Sequence, residues 1–120
     1  MAEKISLKIY DIVGGPVWVS TDDGQKVFDK IAAAFKAGRA VELSFANHEN
    51  LISAFFNAAI GQLYNGAYTD DFLNRHLSYA DISDDDLAML KRTIDNAKRY
   101  FANRPAYDQA WGDLVDDEEE

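Results

Sequence analysis

Hydrophobic positions along this chain switch between two periods. The opening run EKISLKIYDIV sets Ile5, Leu7 and Ile9 against Lys4, Ser6 and Lys8. Apolar residues at every second position place one face of a strand on a core and the other in water. Gly14-Gly15-Pro16 interrupts the run and VWV follows at 17–19, so two strands joined as a hairpin are expected here. The period then lengthens. Val27, Phe28, Ile31 and Phe35 recur at helical spacing, with Ser20 or Thr21 placed as the cap, Asp22 and Asp23 at the positive end, and Gly38 at the close. RAVELSF returns to period two, with Val41, Leu43 and Phe45 on one face. A helical crossover makes this strand parallel to an earlier one.

After the polar loop ANHEN, the residues Ile52, Phe55, Phe56, Ala59, Ile60 and Leu63 fall at helical spacing and predict one amphipathic helix ending near Gly66. Its other side carries Ser53, Asn57 and Asn65, and Ala54, Ala58 and Gly61 make a stripe of small residues. Small residues let another backbone come close, most often the protein's own. TDDFLNRHL reads as a helical turn followed by a strand through LSYADI. Ser83 with Asp86 resembles a capping box for a last helix, whose buried stripe is Leu87, Leu90, Ile94, Ala97 and Phe101. Lys98, Arg99 and Arg104 suit its negative end and Pro105 marks the stop. The order strand, strand, helix, strand, helix, strand, helix predicts an α/β fold: a mixed sheet of about four strands with about three helices packed on it. The domain is expected over 1–104 and an acidic C-terminal tail over 105–120, with Trp111 as its one candidate anchor.

Composition adds limits. The chain has 120 residues, enough for one domain with a core of its own. Cysteine is absent, which removes disulfides and thiolate metal sites. No uninterrupted apolar run is long enough to cross a bilayer and no signal peptide opens the chain, so a cytoplasmic protein without membrane contact is the expectation. The net charge of −9 is uneven: residues 1–68 hold seven acids and six bases, and residues 69–120 hold fourteen acids and six bases. Phosphate backbones are gripped by clustered Lys and Arg, so direct nucleic-acid binding is not expected. The acidic end instead raises a second possibility, an acidic phage-type inhibitor that mimics nucleic acid.

Catalytic signatures are scarce. Dinucleotide and phosphate-loop glycines are missing. His48 and His76 form no helical pair, and Asp84-Asp85-Asp86 lacks the alternation and glycine of a calcium loop, so no metal or cofactor is assigned. Ser53 lacks the flanking glycines of a nucleophile elbow, and its nearest histidine in sequence, His48, lies five residues upstream. A small enzyme with an unrecognised acidic site is the third possibility; no catalytic residue is selected.

One resemblance sharpens this. VELSF, a short polar loop and then LISAFFNAAIGQLYNG resembles the small STAS-like domains of unknown function found in bacteria and their phages. The matching features are Ser44-Phe45, Ser53, Phe55 or Phe56, Asn57 and Leu63-Tyr64, with NAKRYF at 96–101 similar to that group's last helix; the likeness runs from about Ile5 to Phe101. More distantly the arrangement is similar to the STAS domains of anti-anti-sigma factors. There, a serine starting the helix after a central strand is phosphorylated by a partner kinase that is also the anti-sigma factor. Where those proteins carry Asp-Ser-Ser/Thr-Gly, this chain reads Ile52, Ser53, Ala54, Phe55. The resemblance implies a non-enzymatic interaction module regulating a partner ATPase, kinase or transcription regulator, with Ser53 as the candidate regulatory phosphorylation site. The expected interface is the ANHEN loop with the exposed side of the next helix: Asn47, His48, Asn50, Ser53 and Asn57. The residues themselves favour a plainer role for Ser53, a cap on an early backbone N–H.

Overall fold

The computed structural model describes residues 3–102. The tail over 105–120, Trp111, Arg104 and the domain boundary at 104 lie outside the described residues. Strand β1 (Glu3–Lys8) leads into a short helix α1 (Ile9–Val13), a two-residue strand β2 (Val17–Trp18) and helix α2 (Thr21–Lys36). Strand β3 (Arg39–Ser44), a second two-residue strand β4 (Asn50–Leu51) and helix α3 (Ser53–Ala59) follow. A 3-10 turn (Gly61–Tyr64), α4 (Asp70–His76), β5 (Leu77–Ala80) and the long α5 (Asp84–Ala102) complete the described residues.

The α/β class stands. The main sheet has the order β1-β3-β5 and every pairing in it is parallel. In register, Ile5, Val41 and Leu77 make one row, and Leu7, Leu43 and Tyr79 the next. These rows face the helices, where Val41, Leu43, Val27, Ile31, Phe55, Phe56, Ile60 and Leu63 are fully buried. The other face is polar: Ser6, Glu42 and Ser78 share a row, and Lys4 reaches Glu42 at 3.6 Å.

The expected hairpin does not form. Beyond Lys8 the period-two pattern gives way to Ile9, Ile12 and Val13, spaced as a helical turn, and Ile9 is buried completely. Gly14, at φ +84°, closes that turn in the left-handed region, which costs glycine little. VWV therefore leaves β1 and pairs in parallel with β4, Val17 opposite Asn50 and Trp18 opposite Leu51.

Helix starts follow their caps where the cap is local. Ser20 accepts from the Asp23 amide at 3.0 Å, and Thr69 accepts from Phe72 at 3.0 Å. The helix expected from Ile52 to Gly66 is instead broken at Ile60, and Leu63 N–H bonds to Ile60 O in a tighter 3-10 turn. Just past the break Gly61 faces α5, where an added Cβ would make ordinary contact, 3.9 Å from both Ala97 and Thr93. The small-residue stripe serves the protein's own helices. Gly24 of α2 comes so close to α3 that a Cβ there would lie 2.7 Å from the Phe55 carbonyl oxygen and from Ala58 Cβ.

Candidate functional site

At the C-terminal end of β3 the chain turns through Ala46 and Asn47, the latter in the left-handed region at φ 69°. This turn is held from below. Ser44 Oγ–H donates to Asp81 Oδ2 at 2.7 Å and accepts from the Ala46 amide at 3.3 Å, while the Phe45 amide donates to Ala80 O. The ends of β3 and β5 are thereby tied just where the loop leaves the sheet.

His48 is turned inward by three partners. Its Nδ1 lies 2.7 Å from Phe45 O, its Nε2 2.7 Å from Asp86 Oδ2, and its ring stacks on Trp18 with centroids 4.7 Å apart. A carbonyl and an ionised carboxylate only accept, so the ring serves both when each nitrogen carries a proton. The two side chains are only 18% and 16% exposed, which shields the contact from much of the solvent screening that weakens surface pairs. Trp18 is itself anchored: Nε1–H donates to Gly15 O at 2.8 Å, and its ring packs on Phe45 and Phe55. Four segments distant in sequence meet here: the glycine turn with β2, the β3–β4 loop, the start of α3, and the first turn of α5.

This geometry revises two expectations. Ser83 does cap α5, accepting from the Asp86 amide at 3.2 Å, but the Asp86 carboxylate does not return to complete a reciprocal box; it goes to His48. Ser53 is not a cap. Ile52 occupies the N-cap position of α3, no side chain caps that end, and Ser53 is an exposed first helical residue with no side-chain hydrogen bond among the described residues. Among the other expected interface residues, Asn47 and Asn50 are exposed and Asn57 is half-buried one turn beyond Ser53.

Reading the sequence passed over a different feature beside them. The exposed large hydrophobic residues among those described are Tyr10, Val17, Val19 and Ile52, between 39% and 46% exposed. In the β2–β4 pair Trp18 and Leu51 point inward, so Val17, Asn50 and Ile52 share the outer face and Val19, next along the chain, falls opposite Ile52. Ser53 follows directly. The alternation of VWV signalled a one-sided strand, but not which side faced water.

Other chemistry is limited by pairing. Both His48 nitrogens are engaged, which leaves neither as a free base for Ser53. His76 stacks on Phe72 and bonds to its carbonyl in a separate aromatic cluster with Phe35. No group of three or more His, Asp or Glu side chains among the described residues is placed to hold a metal ion. An open groove of about 350 Å³ runs along Tyr64, Gly66, Asp70 and Lys98. Its charges are matched internally, with Lys98 3.4 Å from Asp70 and its ammonium 5.6 Å from the Tyr64 ring centroid. No described helix is long and apolar enough to cross a membrane.

A family model described as a STAS-like domain of unknown function matches residues 23–87, more than half of the chain. The chain belongs to that family. The match runs from the first turn of α2 to the first turn of α5, narrower than the likeness expected from Ile5 to Phe101. It covers Asn47, His48, Asn50, Ser53, Asn57 and Asp86 of this STAS-like domain and omits β1, β2 and Trp18. No curated protein and no solved structure matches the chain.

Proposed function

We propose that this STAS-like domain is a protein-interaction module, without catalysis of its own, that docks a regulatory partner on the end formed by β2, β4 and the start of α3. The observation that carries this reading is the position of Ser53. Its hydroxyl is exposed and unbonded among the described residues, and it directly follows Ile52 on the outward apolar face. A partner binding that face covers Val17, Val19 and Ile52 and gains the hydrophobic term for doing so. A phosphate on Ser53 adds up to about two negative charges at the edge of the same face and opposes that burial. The partner class is the one the family's likeness to anti-anti-sigma factors suggests, an ATPase and kinase of the anti-sigma type. His48 then has a supporting role: with Trp18 and Asp86 it fixes the loop that carries Asn50.

The test is affinity capture from the source cells followed by binding with the purified partner. Wild type, Ile52→Asp and Ser53→Asp are compared by calorimetry, and incubation of the partner with ATP is followed by mass spectrometry of Ser53. A loss of about tenfold or more in affinity for both variants is expected for a charge placed in an apolar interface. Equal affinity of all three for the same partner removes the docking face; loss with Ile52→Asp alone removes the Ser53 switch and leaves the face.

A further inference from the structure

The outward face of β2 ends in a free backbone edge, and its hydrogen-bond register shows what that edge lacks. In the parallel β2–β4 pair, Pro16 O accepts from the Asn50 amide at 3.4 Å and Trp18 O accepts from the Ile52 amide at 3.3 Å. Trp18 therefore spends its main-chain groups on β4. Strand geometry turns the N–H and C=O of alternate residues to opposite edges, so those of Val17 and the N–H of Val19 point away from β4. Among the described residues β2 has no second strand neighbour. No backbone hydrogen bond is formed by Val17 or Val19 on that side among the described residues. Unpaired strand edges are templates for another strand. β2 is short and follows Pro16, but neither Val17 nor Val19 is charged or proline, and they are 46% and 39% exposed.

We infer that the β2 edge is a strand-addition site: an extended segment of a partner, with alternating apolar residues and flanking Lys or Arg, pairs with the main chain of Val17–Val19 and packs on Val17, Val19 and Ile52. This rests on the docking reading above and names the kind of segment that docks. The apolar part follows from the side chains on that face. The charge follows from its rim. Glu49, whose amide donates to Pro16 O at 2.8 Å, borders one end. Asp22 lies in the first turn of α2 just past Val19, and Asp11 lies on α1 beside Tyr10, whose carbonyl receives the Gly14 and Gly15 amides. All three acids are exposed. Of the bases nearest in sequence, Lys26 is paired with Asp23 at 3.3 Å and Lys8 belongs to the polar face of the main sheet. The same rim disfavours a second copy of this chain as the occupant. Pairing two β2 edges brings the flanking Asp22 and Glu49 of both copies toward each other, and like charges across such a contact oppose it.

The experiment uses the full chain, labelled with nitrogen-15, and a synthetic peptide Lys-Val-Thr-Ile-Thr-Val-Lys. Amide shifts and hydrogen exchange are read on titration, with a glutamate-ended version of the peptide as the charge control. The expected result is shifts centred on Val17 and Val19, exchange of those two amides slowed by about tenfold or more, and weaker binding of the glutamate-ended peptide. Val19→Pro deletes an outward N–H without touching the bonds to β4, and it is expected to abolish the effect while its remaining amide spectrum stays native. Val19→Thr keeps the N–H and the side-chain shape and is expected to retain binding. Shifts elsewhere, equal binding of the two peptides, or unchanged binding by Val19→Pro overturns the strand-addition site. If the peptide fails while the captured partner is still lost on Ile52→Asp, strand addition falls and the docking face stands.

Discussion

The link between His48 and Asp86 is one of the contacts that position the loop, and its strength is measurable. Replacing His48 by Ala removes the contact to the Asp86 carboxylate, the one to Phe45 O, and the stacking on Trp18. A hydrogen bond to a charged group contributes about 1.5 kcal/mol and a neutral one about 1 kcal/mol. Ring stacking adds about 1 kcal/mol. The pair is 18% and 16% exposed, so water reaches part of what is released and recovers some of this gross loss. A net cost of about 2 kcal/mol, a fall in Tm of about 8 °C for a domain of this size, is expected. Asp86→Ala removes one of the three contacts and a favourable charge in the first turn of α5, for about 1.5 kcal/mol. Asp84→Ala, in the same turn but exposed and away from His48, is the control for the charge alone, at about 0.5 kcal/mol. Urea denaturation of the two single variants and the double variant closes a cycle, with a coupling of about 1 kcal/mol expected. A coupling below about 0.3 kcal/mol, the level of additivity for independent sites, refutes the reasoning.

Three further outcomes are expected. Ser20→Ala lowers stability by about 1 kcal/mol because Ser20 caps α2, whereas Ser53→Ala stays within about 0.5 kcal/mol of wild type because Ser53 caps nothing; chemical denaturation of the pair separates the two roles. Gly24→Ala gains helix propensity of about 1 kcal/mol, yet it pushes a Cβ to 2.7 Å from the Phe55 carbonyl oxygen. A net loss in thermal unfolding is expected, since overpacking costs about 1–3 kcal/mol and a backbone neighbour yields little; a gain contradicts the close α2–α3 approach. Burial, with a smaller contribution from Tyr64, raises the Tyr79 phenol well above the ordinary tyrosine value of 10.0. The unfolded chain then loses this proton first, so the stabilisation is complete below that value and falls by about 1.4 kcal/mol per pH unit above it. Urea midpoints of wild type that fall no faster in alkali than those of Tyr79→Phe contradict this.

Much of this molecule is legible in its sequence because the signals are local. Ile5 and Leu7, Val41 and Leu43 are spaced for a sheet face and occupy one. Ser20, Ser83 and Gly38 mark helix ends through bonds and dihedrals within a few residues. The stretch 69–80 reads as a helical turn and a strand and forms them, with Thr69 as its cap. The misreadings share a different cause. Ile9 continues the alternation of Ile5 and Leu7 and also begins the helical spacing of Ile12 and Val13. Which period holds depends on where the chain must turn to bury Ile9, and that is decided by elements far along the sequence.

The candidate site shows the same division. The sequence determined that ANHEN is a polar turn before an apolar helix, and that Ser53 stands at the head of that helix. Only the tertiary structure decided that His48 faces Trp18 and Asp86 rather than solvent, and that Asp86 leaves the capping box unfinished to meet it. It likewise decided that Val17, Val19 and Ile52 emerge together beside Ser53. Each of these joins segments 30 or more residues apart, except that Ser53 follows Ile52 directly. Chain spacing carries no information at that range; the closing of β3 onto β5 and the parallel pairing of β2 with β4 supply it.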